Sequence, residues 1–447
     1  MHFNMIPNDI PLPIPTWGLD GVLMPVFLVL LVVSWVVHIV FINVLLGASF
    51  ASVYFNSKGV KERSPVLDRV AYLLTTPVTI SENMGALWGV APLLLVSVLF
   101  TPLFYAAAIM NSPQWLWIIY GNIAAFLLSY LYKFTWHKLE SRKTLHIVIG
   151  TAAVGIFFTL PFVFMATVQL YFTPTTWTYE TRFWDALFRP DTFFRLVHFF
   201  LASFAVTGLF MMAYGKHKQK AEDATDAEAG TILLRTGKSW FVVTTVLNFI
   251  AGPLVLFQFP NYGIESFFNS GYYLLIVLSV VIAIPCLYLI LKDFFNDQIP
   301  AGRIWTVVGL MAVVVISMAT LRHGMRMSLI GPALAQAKAQ SEEFQKDSYE
   351  ARTAPKPAPA AAAADVPVGK QLAQQNGCLA CHAEDKRLVG PAYKDVAAKG
   401  YTPEQILALV RTPKPSNWPG YEPPMPAQPQ VPEGDVKKIA EWINSLK

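Results

Sequence analysis

Cys378, Cys381 and His382 fall in one short run, Cys378-Leu379-Ala380-Cys381-His382, and C-x-x-C-H is a spacing with a definite chemistry. Two thiols placed this way form thioether links to a haem, and the adjoining imidazole becomes an axial ligand of its iron. The competing readings are a zinc site and a redox dithiol. Zinc lacks a second Cys/His pair, since the chain has only three cysteines and Cys286 lies in an apolar run, where it reads as a small buried side chain.

The surroundings supply the rest of a haem pocket. Residues 368–376 read as a short amphipathic helix before the motif, and Leu388-Val389-Gly390-Pro391 would wall one face of the ring. Pro424-Met425-Pro426 offers a thioether as the second axial ligand, and Asp435 to Leu446 reads as a helix with Ile439, Trp442 and Ile443 on one side. Over about the last eighty residues the chain resembles a small class I cytochrome c of the c551/c8 type. The resemblance implies one covalent haem c with His382/Met425 coordination, and outer-sphere electron transfer.

The elements that carry this segment belong to a membrane protein. A chain of 447 residues, 54% hydrophobic and 14% charged, is too apolar for one water-soluble core. Its net charge of +5 is small and spread over loops, which sets nucleic acid aside as a partner. Eight apolar stretches are long enough to span about 30 Å of hydrocarbon: 23–54, 70–100, 115–134, 145–171, 193–213, 239–258, 271–291 and 304–323. The first reads as a signal anchor rather than a removable leader. The expected fold is all-α: a polytopic bundle of about eight transmembrane helices over 1–332, a flexible Pro/Ala-rich linker over 333–367, and a small all-α cytochrome c domain over 368–447.

Lys and Arg set the orientation. Lys58, Lys61, Arg63 and Arg69, then Lys133, Lys138, Arg142 and Lys143, then Lys216, Lys218, Lys220, Arg235 and Lys238, then Lys292 and Arg303 follow the odd-numbered spans. The other side has Arg182, Arg189 and Arg195. The positive-inside rule therefore puts both chain ends, and the haem c segment, on the periplasmic side of a bacterial inner membrane.

Imidazoles among apolar side chains need a partner or a metal. His38 lies inside the first span, His198 about a turn and a half into the fifth, and His323 at the outer end of the eighth. Depth allows His198 and His323 to share a haem b, with Arg195, Arg322 and Arg326 beside its carboxylates and Met318 or Met325 as alternatives to His323. His146, at the entrance of the fourth span, reads as hydrated. Glu82, beside Asn83 in the second span, is an intramembrane acid of the kind that carries protons, takes part in quinone chemistry, or marks a covered helix break.

His38-Ile39-Val40-Phe41 through Leu46-Gly47 resembles the first-helix haem-ligand segment of subunit I of cytochrome bd quinol oxidases. The run Arg195 to Gly208 is similar to that family's low-spin haem b segment, and Leu145-His146 also echoes it. The resemblance implies one or two dissociable haems b, with His198 on the low-spin haem and His38 in the second haem region. It further implies a quinone as electron donor and a second membrane subunit. The pattern departs from the family at Ala124 to Tyr130, which lacks its third-helix Glu, and at Tyr272 to Ile290, which lacks its Met. Three functions follow: a respiratory b/c-type cytochrome exchanging electrons between quinone or a partner subunit and periplasmic proteins, a terminal oxidase fed through haem c, or a membrane-anchored cytochrome c with a structural bundle.

Overall fold

The computed structural model describes residues 24–174, 177, 182–353, 366–421 and 424–447, and every regular element among them is helical. Two compact units separate at Asp347/Ser348. The first contains α1 (Met24–Glu62), α2 (Pro65–Leu99), α3 (Thr101–Met110), α4 (Ser112–Phe134), α5 (Lys143–Phe172), α6 (Phe183–Leu187), α7 (Pro190–Lys218), α8 (Ala224–Leu256), α9 (Asn261–Asn269) and α10 (Tyr273–Leu291). A long α11 (Ala301–Thr353) follows. Eight of these helices are long and apolar enough to cross a membrane, one for each expected span, which makes the chain a multi-pass membrane protein. The short helices α3, α6 and α9 are additions to the sequence reading.

Close approach between helices is set by missing side chains. A Cβ on Gly208 of α7 would lie 2.7 Å from the carbonyl oxygen of Gly237 on α8, and one on Gly230 would lie 2.8 Å from that of Gly215. These two pairs let the backbones of α7 and α8 touch, the usual way apolar helices associate where burial from water gives no drive. Hydroxyls then tie α7 to α1: Thr207 Oγ1 donates to the Asn43 carbonyl and Ser203 Oγ to Asn43 Oδ1, each at 2.8 Å. Between α1 and α2, Arg63 takes a left-handed φ of 53°, and Ser64 caps α2 by accepting from the Leu67 amide.

Charge in the bundle is neutralised locally. Lys143 pairs with Asp68 at 2.9 Å, and Asn56 donates to the same carboxylate at 2.9 Å. Lys238, only 1% exposed on α8, donates to the carbonyls of Asp293, Phe294 and Asn296 at 3.2, 2.8 and 3.0 Å. Those carbonyls follow the end of α10, where a cation meets unsatisfied acceptors.

α11 is one helix of 53 residues, about 80 Å at 1.5 Å per residue, so helix runs through 333–353 of the expected linker. Residues 354–365 lie outside the described ones. The second unit has α12 (Val368–Gln375), α13 (Tyr393–Ala398), α14 (Pro403–Arg411) and α15 (Glu433–Asn444). Its core joins Ala373, Tyr393, Ala397, Ile439, Trp442 and Ile443. Gly369 of α12 leaves room for the Trp442 side chain and the Lys438 carbonyl of α15.

Candidate functional site

In the second unit Cys378 to Ala380 form one 3-10 turn entered through Gly377, whose φ of 73° is left-handed. The turn bonds the His382 amide to the Cys378 carbonyl at 3.1 Å, so both thiols and the imidazole come from a single tight bend. His382 Nδ1 lies 2.8 Å from the Pro391 carbonyl. A carbonyl only accepts, so Nδ1 carries the proton and Nε2 keeps its lone pair. Gly390 packs on the same ring, where any Cβ would strike it, and the Tyr393 ring lies nearly parallel at 5.2 Å. Burial pushes the Cys378 thiol and the Tyr393 hydroxyl up from their usual ranges. Two unpaired thiols and an imidazole with a free Nε2 are the donor set of a covalent haem. Met425 is 40% exposed in its Pro424-Met425-Pro426 setting.

The bundle contains a cavity of about 470 Å³ with His38, Glu82, Tyr171, Arg322, His323 and Arg326 on its wall. His38 Nδ1 lies 2.8 Å from the Gly85 carbonyl of α2, which again places the proton on Nδ1 and leaves Nε2 free. Gly89, one turn on, seats the ring: an added Cβ would lie 2.8 Å from His38 Cε1. Arg322 stacks over Trp35 at 3.9 Å, and Arg326 over Phe100 at 4.9 Å. Arg326 is 7% exposed, yet its Nε and Nη1 have no hydrogen-bond partner among the described residues, and the same holds for His323 Nδ1, Tyr171 Oη and Glu82 Oε1. Among the described residues neither guanidinium has a carboxylate partner, and two such cations in an apolar cavity suit a ligand that brings carboxylates of its own. The other oxygen of Glu82 accepts from Ser129 at 2.5 Å.

The other expected residues are placed differently. His198 is absent from the wall on which His38 and His323 meet. The amide of Asn248 on α8 satisfies its own groups and those of α7 when its nitrogen donates to His198 Nδ1 (3.0 Å) and to the His198 carbonyl (3.2 Å), while its oxygen accepts from the Ala202 amide (3.1 Å). The cavity brings His323 together with His38, and not with the His198 expected from depth, whose Nδ1 lies against Asn248 of α8. Arg195 is also off the wall; it donates to Gln169 Oε1 at 3.0 Å and lies 4.9 Å over Phe172. His146 is not hydrated. It is fully buried, stacked on Tyr132 at 4.3 Å, with Nε2 2.7 Å from the Tyr132 carbonyl and Nδ1 3.4 Å from Asn56 Oδ1. Both nitrogens are engaged, so it has none to offer a metal.

Sequence reasoning missed Trp35, Gly85, Gly89, Tyr171 and Asn248. Asn248 had a signal, an amide inside an apolar span; the glycines had none without knowledge of the facing helix.

Residues 366–447 match the family model described as cytochrome c. They are 40% identical over 79 residues to cytochrome c-551 of Allochromatium vinosum, covering 17% of this chain and 82% of that protein. Cytochrome c-551 of Pseudomonas denitrificans is 42% identical over 83 residues, 18% of this chain and 98% of the relative. Among solved structures, the bd oxidase from Geobacillus thermodenitrificans matches with a TM-score of 0.57 at 11% identity, over 74% of this chain and 96% of that one. That is a likeness of fold, and it concerns the helical bundle.

Proposed function

The chain belongs, through residues 366–447, to the cytochrome c family and so transfers electrons by a covalent haem c, and from that premise we propose a membrane-bound respiratory b/c-type cytochrome. In this reading Cys378, Cys381 and His382 hold haem c with Met425 as the sixth ligand, on the periplasmic side of a bacterial inner membrane. The bundle holds dissociable haem b. It exchanges electrons with quinone or a second membrane subunit on one side and, through haem c, with periplasmic proteins on the other.

One observation carries the haem b half: a cavity in which His38 has a free Nε2 while Arg326 Nε and Nη1, His323 Nδ1 and Tyr171 Oη have no hydrogen-bond partner among the described residues. A haem bound there supplies reversible one-electron redox chemistry. His38 ligates from α1, held by the Gly85 carbonyl, and Arg322 and Arg326 receive the carboxylates. The apolar wall excludes water, which strengthens each of these charge contacts. His198 is the candidate ligand for a second haem b; ligation through Nε2 would need Nδ1 to carry the proton, with the Asn248 amide turned so that its oxygen accepts from it.

The alternative, an oxygen-reducing bd-type oxidase fed through haem c, draws on Glu82, which lines the same cavity as His38 and whose Oε1 has no hydrogen-bond partner among the described residues. A pyridine haemochrome spectrum of the purified chain tests both readings. A b-to-c ratio of one or two supports the relay, a CO-binding dissociable haem selects the oxidase, and haem c alone overturns both and leaves an anchored cytochrome.

A further inference from the structure

The segment that presents Met425 has little to hold it in place. Among the described residues from 412 to 430 none is buried, and the only regular structure is the 3-10 turn Pro415–Asn417. A segment without buried apolar contacts opens readily, unless something other than burial restrains it.

Cations supply the restraint, from outside the segment. Lys399, at the end of α13, donates to the Asn417 carbonyl at 2.5 Å and lies 4.2 Å over the Trp418 ring. Arg387, five residues after His382, donates to the Gly420 carbonyl at 2.7 Å and lies 4.1 Å over Tyr421. The two rings meet edge to face at 6.0 Å, so each cation grips one half of a single aromatic pair. Gly420, with φ at 89°, makes the turn that sets Tyr421 under Arg387. At the far end Arg411 donates to the carbonyls of Gln428, Pro429 and Val431, fixing where the segment rejoins α15.

We propose that Arg387 and Lys399 are positioning residues for Met425, holding its thioether at the haem iron by clamping Trp418 and Tyr421. The proposal rests on the reading of Met425 as sixth ligand. Each clamp joins a backbone hydrogen bond to a cation–π contact at an exposed site, so loss of both should ease ligand release about tenfold.

The test uses the full chain. Oxidised protein is titrated with imidazole, which competes with Met425 for the iron, while the sulfur-to-iron charge-transfer band in the red is followed. In Arg387→Gln/Lys399→Gln, half-displacement should need about tenfold less imidazole. Arg387→Lys, which keeps a cation over Tyr421, should recover part of the difference. Thermal unfolding of the haem c domain should shift far less than ligand release. An unchanged imidazole midpoint, or a loss of global stability equal to the loss of ligand affinity, overturns the clamp. Met425→Ala separates the two claims: if that variant keeps the band, the ligand reading fails. If it loses the band while the double variant titrates normally, only the clamp fails.

Discussion

His38 on α1 and Gly85 on α2 are joined by a 2.8 Å contact between an imidazole Nδ1 and a backbone carbonyl, 47 residues apart in sequence. The bond fixes the tautomer and aims the unprotonated nitrogen away from the backbone. The seat lies on α2 and the ligand on α1, so the geometry of this site can be altered without touching His38.

Gly89→Ala tests that separation. The new methyl would overlap the His38 ring, whose Cε1 and Nδ1 lie 2.8 and 2.9 Å from the Cβ position, and no other atom is as near. Loss of such a supporting contact should weaken haem b retention about 10–100-fold, with covalent haem c unchanged. A normal b-to-c ratio in the haemochrome spectrum would show that His38 does not depend on this seat.

Arg326→Gln removes a guanidinium that no described residue satisfies. If its partner is a haem carboxylate, the variant should lose haem b and keep haem c; equal b content in variant and parent would assign the arginine another role.

Asn248→Leu tests His198. Replacing the amide leaves Nδ1 of His198 without its polar neighbour on α8. The low-spin b signal should broaden or fall, and His198→Ala should abolish it. Retention of the signal in His198→Ala would remove His198 from the ligand set.

Met425→Ala should lower the reduction potential of haem c while leaving both thioether links intact, because a thioether ligand stabilises the reduced iron. Potentiometry with a denaturing gel stained for haem reads both effects; an unchanged potential would place the sixth ligand elsewhere.

Gly237→Ala should destabilise the bundle by about 1–3 kcal/mol, since the added Cβ meets the Gly208 carbonyl and lies 2.8 Å from the Met212 amide, both backbone atoms that cannot swing aside. The thermal midpoint in detergent measures it.

The eight spans were legible because apolar length alone identifies a membrane helix, and the haem c motif because its residues are contiguous. The bundle cavity was legible only in its parts. His38, Arg322, His323, Arg326 and Glu82 each stood out, but which of them share a wall depends on how α1, α2 and α11 are rotated. Nearly uniform apolarity around a span hides that rotation. His198 shows the cost: its depth was inferred, its direction was not, and it faces α8. His146 was read as wet because it sits near a span's end, whereas Tyr132 and Trp136 close over it. Helices α3 and α9 fall in connections too short to show a pattern of their own.

Lys238 has a consequence for labelling this protein. Its amine points three protons at three carbonyls and is almost wholly covered, so it has neither a free lone pair nor a path for a reagent. Acylating probes applied to both faces of the membrane should modify exposed lysines such as Lys61 and pass over Lys238. Its modification would then report unravelling of the α8–α10 junction, making it an internal gauge of native structure in any footprinting experiment.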